Sequence, residues 1–207
     1  MKKEILPSVG VVWEKCEMVT KEAFPKNNQD ACLKVLKSQR LMINDAVDEL
    51  EENLKNQYDE DPEDDDFGEP KMSEEERKLV APALGIMKTA QAVLKKGTLN
   101  LRDRGSWDTF EKVKEMDEDA DLIKNLSSDI DDFALNLYSP IQVDSVDGMK
   151  KVVQDFIAKI ITFCGEAFFI EPKEFETWGA FLTKALEHNC SKLDEALLDF
   201  KVTGLQL

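Results

Sequence analysis

Histidine is almost missing from this chain: His188 is the single one in 207 residues. Imidazole-based metal centres therefore have few ligands to draw on. Neither a His-Glu-x-x-His run nor a Glu-x-x-His pair occurs. His188, beside Glu187, reads as a half-buried helix residue. Cysteine is sparse and scattered. Cys16, Cys32, Cys164 and Cys190 form no Cys-x-x-Cys pair, and each lies in helix-patterned sequence. They read as reduced thiols of a reducing compartment. No glycine-rich phosphate loop is present, since Gly97 and Gly105 merely bracket a Leu-Arg segment. No stretch approaches the ~18 uninterrupted apolar residues of a membrane helix. The start carries two lysines but meets Glu4 and Glu14 too soon for a secretory core. No strand pattern and no internal repeat stand out. These absences argue against an enzyme, a bound cofactor or metal, and a membrane protein, and they favour a soluble intracellular one.

What is abundant is negative charge. The formal net charge is −16. Between Asp59 and Glu69 stand eight acids and no base. Like charges repel there, Pro62 and Gly68 break helix, and only Phe67 offers apolar area, so the tract should stay solvated. A calcium loop fails in register: with Gly68 at position six, Phe67 falls at position five and Glu63 at position one. Such a field repels phosphate backbones, so direct nucleic-acid binding is not expected and basic protein surfaces are.

The rest is helix-patterned. A first helix spans about Pro7 to Phe24, with Val9, Val12, Trp13, Cys16 and Val19 at spacings of three and four. A second runs from about Gln29 to Asn56, its stripe traced by Leu33, Leu36, Arg40, Ile43, Val47, Leu50 and Leu54. The two should form an antiparallel pair. Ser73-x-x-Glu76 reads as a capping box that opens a third helix to about Lys96, with Pro82 expected to kink or shorten it. Gly97 to Gly105 should be a loop. Ser106 should cap a short helix holding Trp107, Phe110, Val113 and Met116. The acidic run Asp117 to Asp121 should then lead into a helix reaching Tyr138. Two more helices follow, from Asp144 or Ser145 to about Ile170 and from Lys173 to about Phe200. Trp13, Trp107 and Trp178 sit on apolar stripes and read as core.

The expected fold is all-α: an up-down bundle of about four to five helices, with an N-terminal helical pair (1–57), an acidic flexible linker (58–72) and a C-terminal bundle (73–207). The first two helices pack onto that bundle or onto something outside this chain. The second-helix stripe serves either intramolecular packing or a partner. Its candidate partner-binding residues are Ile43, Val47, Leu50 and Leu54, joined by Asp61, Asp64, Asp65 and Asp66 of the tract.

Two segments carry a resemblance: LVAPALGIMKTAQAVLKK (Leu79 to Lys96) and LSSDIDDFALNLYSP (Leu126 to Pro140). Both resemble the C-terminal half of the cyclin-D1-binding protein family, also called GCIP or maternal Id-like proteins. Trp178 with Ala185, Leu186, Glu187 and His188 is similar to that family's final helix, and Lys34 to Glu52 to the helix before its acidic linker. The family has a further helical region upstream of the part matched. The resemblance implies a non-enzymatic, all-helical protein of nucleus and cytoplasm. It would bind a D-type cyclin or helix-loop-helix factors and inhibit them by occupancy, thereby regulating cell cycle and transcription. Nothing before the helices is basic enough to grip DNA. The alternative is an acidic chaperone or helical scaffold for basic proteins, in which the linker carries the affinity. A vinculin-like adaptor is a third reading, on fold analogy alone.

Overall fold

A computed structural model describes residues 5–20, 24–59 and 72–204. Among the described residues there are seven helices and no strand, which makes the protein an all-α bundle. In order they are α1 (Ile5–Thr20), α2 (Asn28–Asp59), α3 (Glu74–Arg104), α4 (Phe110–Ile123), α5 (Leu126–Leu135), α6 (Val143–Glu166) and α7 (Pro172–Gly204).

The capping box anticipated at Ser73 starts α3. Ser73 Oγ accepts from the Glu76 N–H at 3.1 Å, and Glu76 Oε2 accepts from the Ser73 N–H at 2.7 Å. Glu76 is itself buried and reaches further. Its Oε1 accepts from the Ile141 N–H at 2.9 Å and from the Ser139 hydroxyl at 3.2 Å. One carboxylate thus ties the start of α3 to the segment between α5 and α6.

α3 runs unbroken past Pro82 and past Gly97 to Arg104, where a loop was expected from Gly97 onward. Burial explains the extension. Leu94, Gly97, Thr98 and Leu101 continue the inward stripe, and packing of that stripe outweighs the cost of one glycine. Thr98 Oγ1 and Asn100 Nδ2 each return a hydrogen bond to a carbonyl four residues back. Gly105 ends the helix, its N–H donating to Leu101 O at 2.8 Å.

α4 is capped by Thr109, not Ser106, and Trp107 precedes it. The acidic run Asp117 to Asp121 lies inside α4, because Met116, Asp119 and Ile123 keep the buried spacing through it. The chain breaks only at Lys124 and Asn125. α6 closes at Glu166, earlier than expected, and α7 extends past Phe200 to Gly204.

α3 is the central helix, packed against α7, α2 and α6. It runs antiparallel to α2: Gln29 Nε2 donates to Leu101 O at 2.7 Å, and farther along Lys88 pairs with Glu51 at 2.5 Å. It is antiparallel to α7 as well. Arg104 makes a two-pronged pair with Glu174, at 2.6 and 3.0 Å, near one end. Near the other, Gly85 meets Asn189 so closely that a Cβ built on Gly85 would lie 2.3 Å from Asn189 Oδ1. α6 is antiparallel to α7 in turn, joined by Lys150 with Asp194 and by Lys201 with Asp144.

Of the two fates open to the first helices, α2 joins the bundle: it packs on α3, α4 and α5. Among the described residues α1 packs on no other helix to a comparable degree, and Val11, Val12 and Trp13 are exposed, so Trp13 is not core. Trp107, read as core, is also exposed, and so is His188, read as half-buried. Trp178 is buried as expected, edge-on to Phe175 with ring centroids 5.0 Å apart.

Candidate functional site

The second-helix stripe faces inward. Ile43, Val47 and Leu50 are buried in the core, and Leu54 is half-buried against it. Side chains enclosed in this way present no exposed surface in this fold. The physical reason is that α2 spends the stripe on α3, α4 and α5. Asp61, Asp64, Asp65 and Asp66 lie outside the described residues.

An open groove lies a quarter-turn away on α2. It measures about 510 Å³ and is lined by Met42, Asp45, Ala46 and Glu49 of α2 and by Asp131, Ala134, Leu135 and Tyr138 of α5 and the turn after it. Ala46 and Ala134 are its small residues. Met42 and Leu135 stand beside them, and Leu135 is 66% exposed. Asp45, Glu49 and Asp131 supply the acids.

Local sequence explains how the walls are held. α5 has no side-chain cap of its own at Asn125. Gln39 of α2 supplies one instead, its Oε1 accepting from the Ser127 N–H at 2.8 Å in a buried position. The Ser127 hydroxyl also meets Met42 Sδ at 3.5 Å. The groove's two sides are thereby registered by a neutral buried bond between one helix's side chain and the other's free N-terminal amide.

The electrostatics are one-signed. Among the described residues, Asp45, Glu49 and Asp131 have no ion-pair partner. Burial pushes the Asp131 carboxyl above its usual range, and the neighbouring Asp132, Glu49 and Asp45 push it the same way. The groove is thus an apolar seat beside uncompensated negative charge.

A second cluster lies inside. Asp119 of α4 is buried, and its Oδ2 has no hydrogen-bond partner. Burial, helped by Glu115, raises its pKa to about 8. Burial pushes the thiols of Cys32 and Cys164 up to about 12, with the Asp119 charge adding to both. Thiols held so firmly in the neutral form are poor nucleophiles. Among the described residues no group of three His, Cys, Asp or Glu side chains could hold a metal ion, and no helix is long and apolar enough to cross a membrane.

Sequence reasoning named the stripe that α2 buries and passed over the exposed groove beside it. A usable signal existed: Leu41-Met42-Ile43 and Phe133-Ala134-Leu135 are apolar triplets, wider than one helix stripe can bury. In each triplet one residue faces the core and another faces water: Ile43 and Phe133 are buried, Met42 and Leu135 exposed.

Fold and groove together define an all-helical bundle that carries an apolar, acid-lined groove. The comparisons give this class a family. The Grap2 and cyclin-D-interacting family matches over two models, the N-terminal at residues 1–56 and the C-terminal at residues 56–162. The chain is 30% identical to a Xenopus laevis cyclin-D1-binding protein 1 homolog over 195 residues, covering 90% of this chain and 58% of that protein. It is 27% identical to the Danio rerio homolog over 207 residues, 95% of this chain and 59% of that protein. Against the Homo sapiens cyclin-D1-binding protein 1 it is 24% identical over 210 residues, 92% and 57% respectively. The chain belongs to the Grap2 and cyclin-D-interacting family, and it spans somewhat under three-fifths of the length of these relatives.

Proposed function

We propose that this chain is a non-enzymatic regulator that binds a D-type cyclin or a helix-loop-helix factor through the α2/α5 groove and inhibits it by occupancy. The observation that carries the reading is an open apolar groove with uncompensated acids, in a family whose relatives are named for binding cyclin D1. A partner that uses its own apolar helix face for activity loses it while that face is seated here. Regulation of cell cycle and transcription, in cytoplasm and nucleus, follows from that competition. The acidic tract with Asp61, Asp64, Asp65 and Asp66 follows α2 and adds attraction for basic surfaces on the same partner.

The test is capture of a D-type cyclin by the intact chain and by a Met42→Arg/Leu135→Arg double variant. Both side chains are exposed, so the variant keeps its fold, which circular dichroism checks. Capture should fall at least about tenfold, as for loss of central interface anchors. Equal capture removes the groove from the reading.

The net charge of −16 supports a second reading, an acidic chaperone for basic proteins. Salt separates the two. Chaperone binding collapses between low and moderate ionic strength, while apolar docking persists.

A further inference from the structure

The groove also indicates what kind of segment it takes. We infer that its occupant is a basic amphipathic helix, with apolar anchors one turn apart flanked by Lys or Arg. This rests on the reading of the groove as the docking site but not on the partner being a cyclin.

Shape is the first observation. The α2 wall from Met42 to Glu49 is about two helical turns long, and the facing wall runs from Asp131 of α5 to Tyr138 in the turn after it. An occupant therefore engages through about two turns, which gives room for apolar anchors at i and i+4. Ala46 and Ala134 are small enough to let such anchors approach the backbone, and the exposed Met42 and Leu135 supply apolar contact beside them.

Charge is the second. Three carboxylates from two helices surround this seat, and no described cation answers them. Some acids elsewhere do find a cation within the chain, Glu51 with Lys88, Glu174 with Arg104 and Asp144 with Lys201, but among the described residues Asp45, Glu49 and Asp131 do not. A neutral apolar helix would bury part of the Asp45, Glu49 and Asp131 charge uncompensated, and an acidic one would add repulsion. Lysine or arginine beside the anchors supplies donors where the groove has only acceptors.

The test uses the intact chain and fluorescently labelled peptides in an anisotropy titration. The probe is an 18-residue helix-forming peptide with leucines at i and i+4 and lysines flanking them. Its controls are a scrambled peptide of identical composition and a peptide with glutamate in place of lysine. The amphipathic basic peptide should bind at least about tenfold more tightly than the scramble. Asp45→Lys/Glu49→Lys should abolish that preference and favour the glutamate peptide, while Met42→Ala/Leu135→Ala should weaken the lysine peptide alone. Equal binding of scrambled and amphipathic peptides, or indifference to both double variants, overturns the inference, because the acidic tract or the general surface charge would then account for binding. Capture of a D-type cyclin is measured in parallel. Selective peptide binding without cyclin capture supports this inference and sinks the cyclin reading. Groove-dependent cyclin capture without peptide selectivity does the reverse.

Discussion

Two buried carboxyls show how opposite environments set opposite pH behaviour. Asp119 is desolvated, and its pKa rises to about 8 from the usual 3.8. In the folded protein it holds its proton through a range where the unfolded chain has lost it. Stability from this group is therefore full below pH 4 and falls as pH climbs toward 8, by an amount on the order of 5 kcal/mol across that window. Asp119→Asn should leave stability at pH 3 nearly unchanged and raise it at pH 8.5, read as urea midpoints at the two values. Glu76 behaves conversely. Burial alone would raise its pKa, but hydrogen bonds from the Ile141 and Ser73 N–H groups and from the Ser73 and Ser139 hydroxyls hold it below its usual 4.5. Its contribution is present above pH 4.5 and is lost as pH falls through the lower folded value. Glu76→Gln should cost about 1–3 kcal/mol at pH 7, since a charge-assisted acceptor of several donors is replaced by a neutral amide. At pH 3 the gap between variant and parent should narrow.

At the scale of elements, close approach and borrowed caps decide the arrangement. Gly85 lets α3 and α7 meet at Asn189. Gly85→Ala should destabilise, as measured by the thermal midpoint, despite the better helix propensity of alanine. Adding Asn189→Ala should recover the loss and exceed the parent by up to about 1 kcal/mol, because the obstacle is gone and the propensity gain remains. The existence of the helices was legible from spacing alone, and the Ser73 to Glu76 box marked the start of α3 to the residue. Ends were less so. α3 outruns Gly97 because Thr98 and Leu101 are buried by other helices, which no local pattern reports. The groove was only half legible. The apolar triplets in α2 and α5 were in view, but the Gln39 bond to Ser127 that sets these helices side by side joins residues 88 apart in sequence. The stripe of Ile43, Val47 and Leu50 was correctly read as apolar. Only packing could settle whether a partner or the chain itself covers it.

For the whole molecule, this assignment changes which substitutions test binding. Val47→Asp or Leu50→Asp puts a charge into the core that α2 shares with α3, α4 and α5. Either should cost several kcal/mol and lower the unfolding midpoint of the whole bundle, so lost capture by such variants reports unfolding. Substitutions at Met42 and Leu135 should leave that midpoint within about 0.5 kcal/mol of the parent and act on capture alone. The comparison between the two classes separates stability from recognition in a single protein.

The unequal placement of the three indoles has an optical consequence. Trp13 is 68% exposed and Trp107 50%, whereas Trp178 is buried at the α7 packing surface. Emission from the native protein should be dominated by two water-relaxed, red components, with a single blue one from Trp178. Acrylamide should reach the first two freely. Iodide should quench them poorly and caesium well, because a surface of net charge −16 excludes one ion and gathers the other. The spectral change on denaturation then belongs almost wholly to Trp178, which makes intrinsic fluorescence a local gauge of α7 docking.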